Sequence, residues 1–236
     1  MKAFVEAARQ IVRSLVWADS PLPSVSHAGR QLTWRHHGLG MLQAELSDTL
    51  RIHVWSPRLV SPAMAWPRCV HDHRFDFLSA VVVGSIRDVL PEVRPDEGTP
   101  VGRLTGGWQR AKAYEIEHAK NQDRMVLEKG CSTATSARFL GNVVLTRAYA
   151  DTVHRAGTAY EMKRRVFHTT EVTELAITVL HRANFDDRLA RVLCAPESDV
   201  TAVSGIVRDE SLGHRILINS VLSEAASAIA NLPESD

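Results

Sequence analysis

The 236-residue sequence is poor in the features that mark several protein classes. It has only three cysteines, Cys69, Cys131 and Cys194, far apart and with no Cys-x-x-Cys. That excludes a disulfide framework or a thiolate zinc site and points to a reducing compartment. Lys and Arg number 28 against 27 Asp and Glu, so the chain lacks the basic excess with which a dedicated nucleic-acid binder displaces counterions. No apolar run approaches the roughly 20 residues that span a bilayer. There is no Asn-x-Ser/Thr sequon, Gly-x-Ser-x-Gly elbow, phosphate-binding Walker loop or His-Glu-x-x-His, and Gly38-Leu39-Gly40 lacks the third glycine of a dinucleotide loop. The N-terminal stretch is no signal peptide, because Glu6, Arg9, Gln10 and Arg13 interrupt its apolar core. These absences leave an expected cytoplasmic protein, with no nucleic-acid or membrane partner.

What is present is a β-rich pattern between helical ends. Phe4, Val5, Ala8, Ile11, Val12 and Leu15 recur at helical spacing, and a Pro/Ser/Gly connector follows. From Leu32, three extended runs end in LRIHVWS, the last two joined by a turn at Ser47-Asp48-Thr49. Further strands are expected at 78–90, 108–119, around 125–127, at 143–150, from Gly157 to His168, and at 175–180. NFDDRLARVLC and the segment after Asp209 read as helices, with Asp209 and Ser211 as candidate caps. Helix, many short strands and two helices suggest one mostly β domain built as a barrel or sandwich. Its parts are an N-terminal helix (1–18), a β-barrel (32–181) and a C-terminal helical segment (184–236) that covers the barrel or forms a homodimer contact.

The chemistry centres on CVHDHRFDFLSAVVVG, residues 69–84. His71 and His73 stand at i and i+2, so on an extended chain both imidazoles project to one side. Neutral imidazoles are ready donors to borderline metals. Two seldom hold a catalytic metal alone, so a third ligand is sought. His168 is the first candidate, at the end of the YEMKRRVFH segment, with His154 and His118 as alternatives. Simple alternation puts Tyr160, Met162, Arg164, Val166 and His168 on one face. Arg164 is then the candidate to grip an anionic substrate, with Arg87 and Arg147 behind it, and Tyr160 is the candidate hydrogen-bond donor, with Tyr114 and Tyr149 as alternatives. Asp72 and Asp76 face away from the histidines, and His36, His37 and His53 are expected to cap or pack.

The segment from His71 to Gly84 resembles the first motif of the cupin superfamily, His-x-His followed at fixed spacing by a glycine, and the likeness extends from about Leu32 to His181. Phe77 stands where cupins carry a glutamate ligand, and no glycine lies six residues before His71. Lys163-Arg164-Arg165 replace the Pro-x-Gly turn of the second motif, and the 95 residues between His73 and His168 imply an insertion within 91–142. The resemblance implies a double-stranded β-helix, or jelly-roll, barrel. A three-histidine site is similar to that of the cysteine dioxygenase-like thiol dioxygenases, which implies Fe(II), with Zn, Ni or Mn as alternatives, and a dioxygenase-type oxidoreductase. Its substrate is expected to be a small polar or anionic molecule. A cupin isomerase, epimerase or lyase using the metal as a Lewis acid remains open, as does a non-catalytic small-molecule binder.

Overall fold

The structure is a computed structural model that describes residues 1–18, 24–37, 39–60, 66–67, 69–98, 107–117, 136–196 and 211–233. In chain order its elements are α1 (Lys2–Arg13), β1 (Val16–Ala18), β2 (Ser24–His27), β3 (Arg30–Gln31), β4 (Arg35–His37), β5 (Leu39–Glu45), β6 (Leu50–Val60), β7 (Asp76–Val83) and β8 (Ser85–Pro95). There follow β9 (Trp108–Glu117), β10 (Ser136–Arg155), β11 (Thr158–Met162), β12 (Thr169–Glu171), β13 (Ala176–Ala183), β14 (Ala190–Cys194) and α2 (Leu212–Ala230). The protein is mostly β, with curled antiparallel sheets forming a half-barrel and two helices. No helix among the described residues is long and apolar enough to cross a membrane.

Two sheets make the body, a six-stranded one in the order β11-β7-β13-β6-β5-β4 and a five-stranded one in the order β12-β8-β10-β9-β14. The chain passes from one to the other at Gly84, between β7 and β8. Gly84 has a φ of +68°, and a Cβ there would lie 2.1 Å from the Leu175 carbonyl oxygen, so only glycine fits this corner.

Strand alternation sorts the six-stranded sheet into two faces. Leu42, Ile52, Val54, Ala80, Val82, Ile177 and Val179 face the helices and bury Val5, Ala8 and Val12 of α1 with Val221, Leu222 and Ala225 of α2. On the opposite face, Met41, Trp55, Val81 and Ala176 pack against Ile86 of the five-stranded sheet. The space between the sheets is therefore lined by the second set of alternating positions.

Two sequence expectations are corrected. NFDDRLARVLC does not form a helix: Ala190–Cys194 is β14, paired with β9 so that Val192 opposes Tyr114 and Leu193 opposes Ala113. Burial of Leu193 and Cys194 against a partner strand outweighs the weak helical spacing of so short a run. Second, no single strand runs to His168. Strand β11 stops at Met162, and a turn with Arg165 at φ +67° carries the chain to a separate bridge at His168. His118 and the expected strand near 125–127 lie outside the described residues.

Candidate metal centre

The centre forms where the five-stranded sheet's two edges meet. His71 makes bridges to His168, next to edge strand β12, and to Val192 in edge strand β14. The His71 amide donates to the His168 carbonyl at 3.0 Å and the His168 amide returns a bond to the His71 carbonyl at 2.9 Å. The Leu193 amide donates to Val70 and the Asp72 amide to Arg191, so residues 70–72 fill the seam between those edges. Directly opposed residues of an antiparallel pair project to the same side. The backbone itself therefore sets the imidazoles of His71 and His168 side by side, and His73, two residues on, joins them. The ring centroids are 4.6 Å (His71–His168), 4.9 Å (His71–His73) and 5.0 Å (His73–His168) apart. One nitrogen from each ring lies within 4.8 Å of the other two.

Two of these rings are oriented from behind. Nδ1 of His71 is 3.0 Å from the Cys69 carbonyl oxygen, and Nδ1 of His168 is 3.2 Å from that of Val166. A carbonyl only accepts, so each Nδ1 carries the proton and the Nε2 lone pair is left for another partner. Protonation is disfavoured throughout the cluster. Burial, then the neighbouring His168, pushes His71 down to about 3. Burial pushes His168 to about 4, and burial with the charges of His71 and His168 holds His73 well below its ordinary value.

At neutral pH the three are neutral donors, the form a metal requires. An ion about 2.1 Å from each nitrogen needs them about 3.0–3.5 Å apart, and the three here lie within 4.8 Å of one another. The donor set thus fits a divalent ion that accepts nitrogen ligands. Phe77, an edge-on neighbour of His73 at 5.4 Å, offers no ligand, and Phe75 stacks on His73 at 4.9 Å.

A buried polar group borders the trio. Asp88 on β8 is 1% exposed and accepts from the Thr170 hydroxyl at 2.6 Å. Its second oxygen lies 3.5 Å from Nε2 of His154. The His154 ring stacks on Tyr160 at 3.8 Å, and the Tyr160 hydroxyl donates to Asp88 and accepts from the Ser79 hydroxyl. Burial raises Asp88 above the usual carboxylate range and holds Tyr160 well above the usual phenol range. Behind the trio, Asp72 accepts from Nε of Arg191 at 2.7 Å and from its amide at 2.6 Å, with Arg165 at 3.7 Å.

The structure thus gathers His71, His73 and His168, sets Tyr160 beside Phe77, and leaves other candidates elsewhere. Arg164 does not line the site: with β11 ended at Met162 its side chain is exposed and donates to the Asn184 carbonyl at 2.7 Å. His154 belongs to the Asp88 group and not to the trio. Arg87 is on the surface with Asp151, and Tyr114 is buried against Ile116 and Cys194. The side chains of Arg147 and Tyr149 lie outside the described set. Asp76 receives the Arg164 amide and the Asn184 side chain. Sequence reasoning overlooked Asp88, whose signal was a charge in step with Ile86 and Leu90 of a core strand. It assigned His53 to capping or packing, yet Nε2 of this buried ring has no hydrogen-bond partner among the described residues.

Fold and site together define a mostly β, half-barrel protein with a three-histidine group that could hold a metal ion. Compared with known proteins, the chain matches no family model and is significantly similar to no curated protein.

Proposed function

We propose that this chain is a metal-dependent oxidoreductase of cupin type, its half-barrel the core of a double-stranded β-helix, acting in the cytoplasm on a small polar or anionic molecule. The observation that carries the reading is the convergence of three neutral imidazoles, two with Nδ1 held by a backbone carbonyl so that Nε2 is left as the donor atom. When bound there, a divalent ion supplies Lewis acidity and, as Fe(II), the one-electron chemistry that dioxygen requires. A three-imidazole set adds no negative charge, so the occupied site would favour an anionic group of the substrate. The chain's own residues do the rest. Phe75, Phe77, Met162 and Leu180 form an apolar cluster beside His73 that keeps water from the reacting groups. Tyr160, its own proton directed to Asp88, offers its phenol oxygen as an acceptor that can hold a substrate N–H or O–H in place.

A second reading, an isomerase, epimerase or lyase, draws on the buried Asp88. A carboxyl raised by burial next to a tyrosine hydroxyl suits proton transfer at a metal-polarised substrate.

Metal analysis of protein purified without chelator tests the site. About one ion per chain is expected in the wild type and none in a folded His71→Ala/His168→Ala variant. A metal-free wild type would leave a non-catalytic small-molecule binder. Oxygen uptake by the Fe(II)-loaded protein with thiols, amino acids and phenols separates the oxidoreductase from the isomerase, which consumes none.

A further inference from the structure

We infer that the inward face of β6 carries the recognition site for the substrate's anionic end, with His53 as its hydrogen-bond donor and Arg51 as its source of positive charge. This rests on the metal-centre reading and extends it to His53, which the sequence assigned to capping or packing, and to Arg51, to which it assigned no role.

Three observations carry the inference. First, His53 is 6% exposed, and its Nε2 is buried with no hydrogen-bond partner among the described residues. An orphaned buried nitrogen carries an uncompensated desolvation penalty, which a bound ligand removes by pairing with it. Second, the ring belongs to the space between the sheets. His53 opposes Thr178, which opposes Val81 in turn; Arg51 opposes Leu180, and Leu180 packs with Phe75 and Phe77 beside His73. All these positions lie on the face of the sheet turned away from the helices.

Third, the local charge balance is positive. Glu45 receives Arg51 at 2.8 Å and lies 3.6 Å from Arg182, so one carboxylate is shared between two guanidiniums. An anion entering beside His53 therefore meets a net positive wall even with Glu45 in place. Strand β6 is two strand positions from β7, a backbone separation of about 10 Å, which inward side chains narrow to the reach of a compact molecule. The ligand implied is a small aliphatic acid, its metal-binding group at the trio and its carboxylate, a few atoms away, at His53 and Arg51.

The test uses two probes that share a thiol, 3-mercaptopropionate and the neutral 1-propanethiol, titrated into Co(II)-loaded protein and followed by the cobalt absorption. The wild type is expected to bind the acid at least tenfold more tightly. In His53→Leu and Arg51→Met that preference should fall to within about threefold while propanethiol binding stays unchanged. Retention of the full preference in both variants would overturn the inference and leave the metal centre standing. A parallel arm uses metal-free protein and 15N-labelled imidazoles. Acetate is expected to shift the His53 resonance, assigned by its loss in His53→Leu. A shift without any cobalt spectrum would sink the metal reading and keep the subsite, whereas no shift and no acid preference would sink the subsite.

Discussion

The two faces of the six-stranded sheet are built from the same strands and do opposite work. Along β6, Ile52 and Val54 turn toward the helices and are fully buried, whereas Arg51 and His53, each one residue away, turn inward. Along β13, Ile177 and Val179 join the helix-covered core, while Thr178 and Arg182 share the inward face. One face is closed by apolar contacts and has every reason to be stable. The other bears His53, an imidazole whose Nε2 has no hydrogen-bond partner among the described residues, and it looks across to the three neutral histidines and to Asp88 of the five-stranded sheet, which burial keeps out of its usual range. The contrast teaches that stability and candidate chemistry are carried one residue out of phase, so substitutions at adjacent positions should separate them.

The largest effect is expected on the helix-covered face. Ile52→Ala removes three carbons from a position with no solvent exposure, and should cost about 2–5 kcal/mol in urea unfolding. Metal content, measured where the variant remains folded, should stay at the wild-type level. Metal loss from a folded Ile52→Ala protein would break the division between the faces.

The next effect sharpens it through pH. Burial, then the charges of Arg51, His37 and Arg182, lowers His53 to about 3, so it stays neutral in the folded protein. The unfolded chain takes up that proton near pH 6.5. The contribution of neutral His53 is therefore complete above pH 6.5 and is lost as pH falls toward 3. Between pH 7 and 5 the loss from this group alone amounts to about 2 kcal/mol. His53→Leu should flatten the stability profile over that window, and at neutral pH it should raise stability by about 1 kcal/mol by removing the orphaned nitrogen. An unchanged slope in denaturant titrations at pH 7 and 5 would show that His53 is not buried neutral.

How far the site could be read from sequence follows from the same geometry. The His71/His73 pair was legible because alternation acts over two residues and needs no tertiary knowledge. His168 was legible as a partner but for a mistaken reason. It arrives through a turn and an opposed backbone pair with His71, not at the end of one continuous strand. That same break puts Arg164 on the surface, since an alternation argument fails wherever a residue such as Arg165 leaves the extended region. Strand β14 was misread because five residues cannot separate a period of 2 from one of 3.6. The role of Asp88 was hidden because its partners, Thr170, His154 and Tyr160, come from three later segments. The N-terminal helix, the hairpin at 47–49 and α2 were visible because their signals are local.

The smallest effect tests whether the faces are independent at the far end of the molecule. Ser211 caps α2: its backbone is extended at φ −60°, ψ 151°, and its hydroxyl accepts from the His214 amide at 3.1 Å. Ser211→Ala should cost about 1 kcal/mol, and Ser211→Asp should restore most of it, because a carboxylate makes the same bond and suits the positive end of the helix. The His214 ring stacks on His36 of β4 at 4.9 Å, and His36 Nε2 lies 2.7 Å from the Leu59 carbonyl oxygen of β6. Loosening the cap can therefore reach the strand that bears His53, although only through its last residues. If the two faces are separable, Ser211→Ala will shift the urea midpoint by that small amount and leave cobalt affinity and the acid-over-thiol preference unchanged. A changed preference with normal metal affinity would mean that α2 sets the position of β6, and the helix-covered face would then be part of substrate recognition.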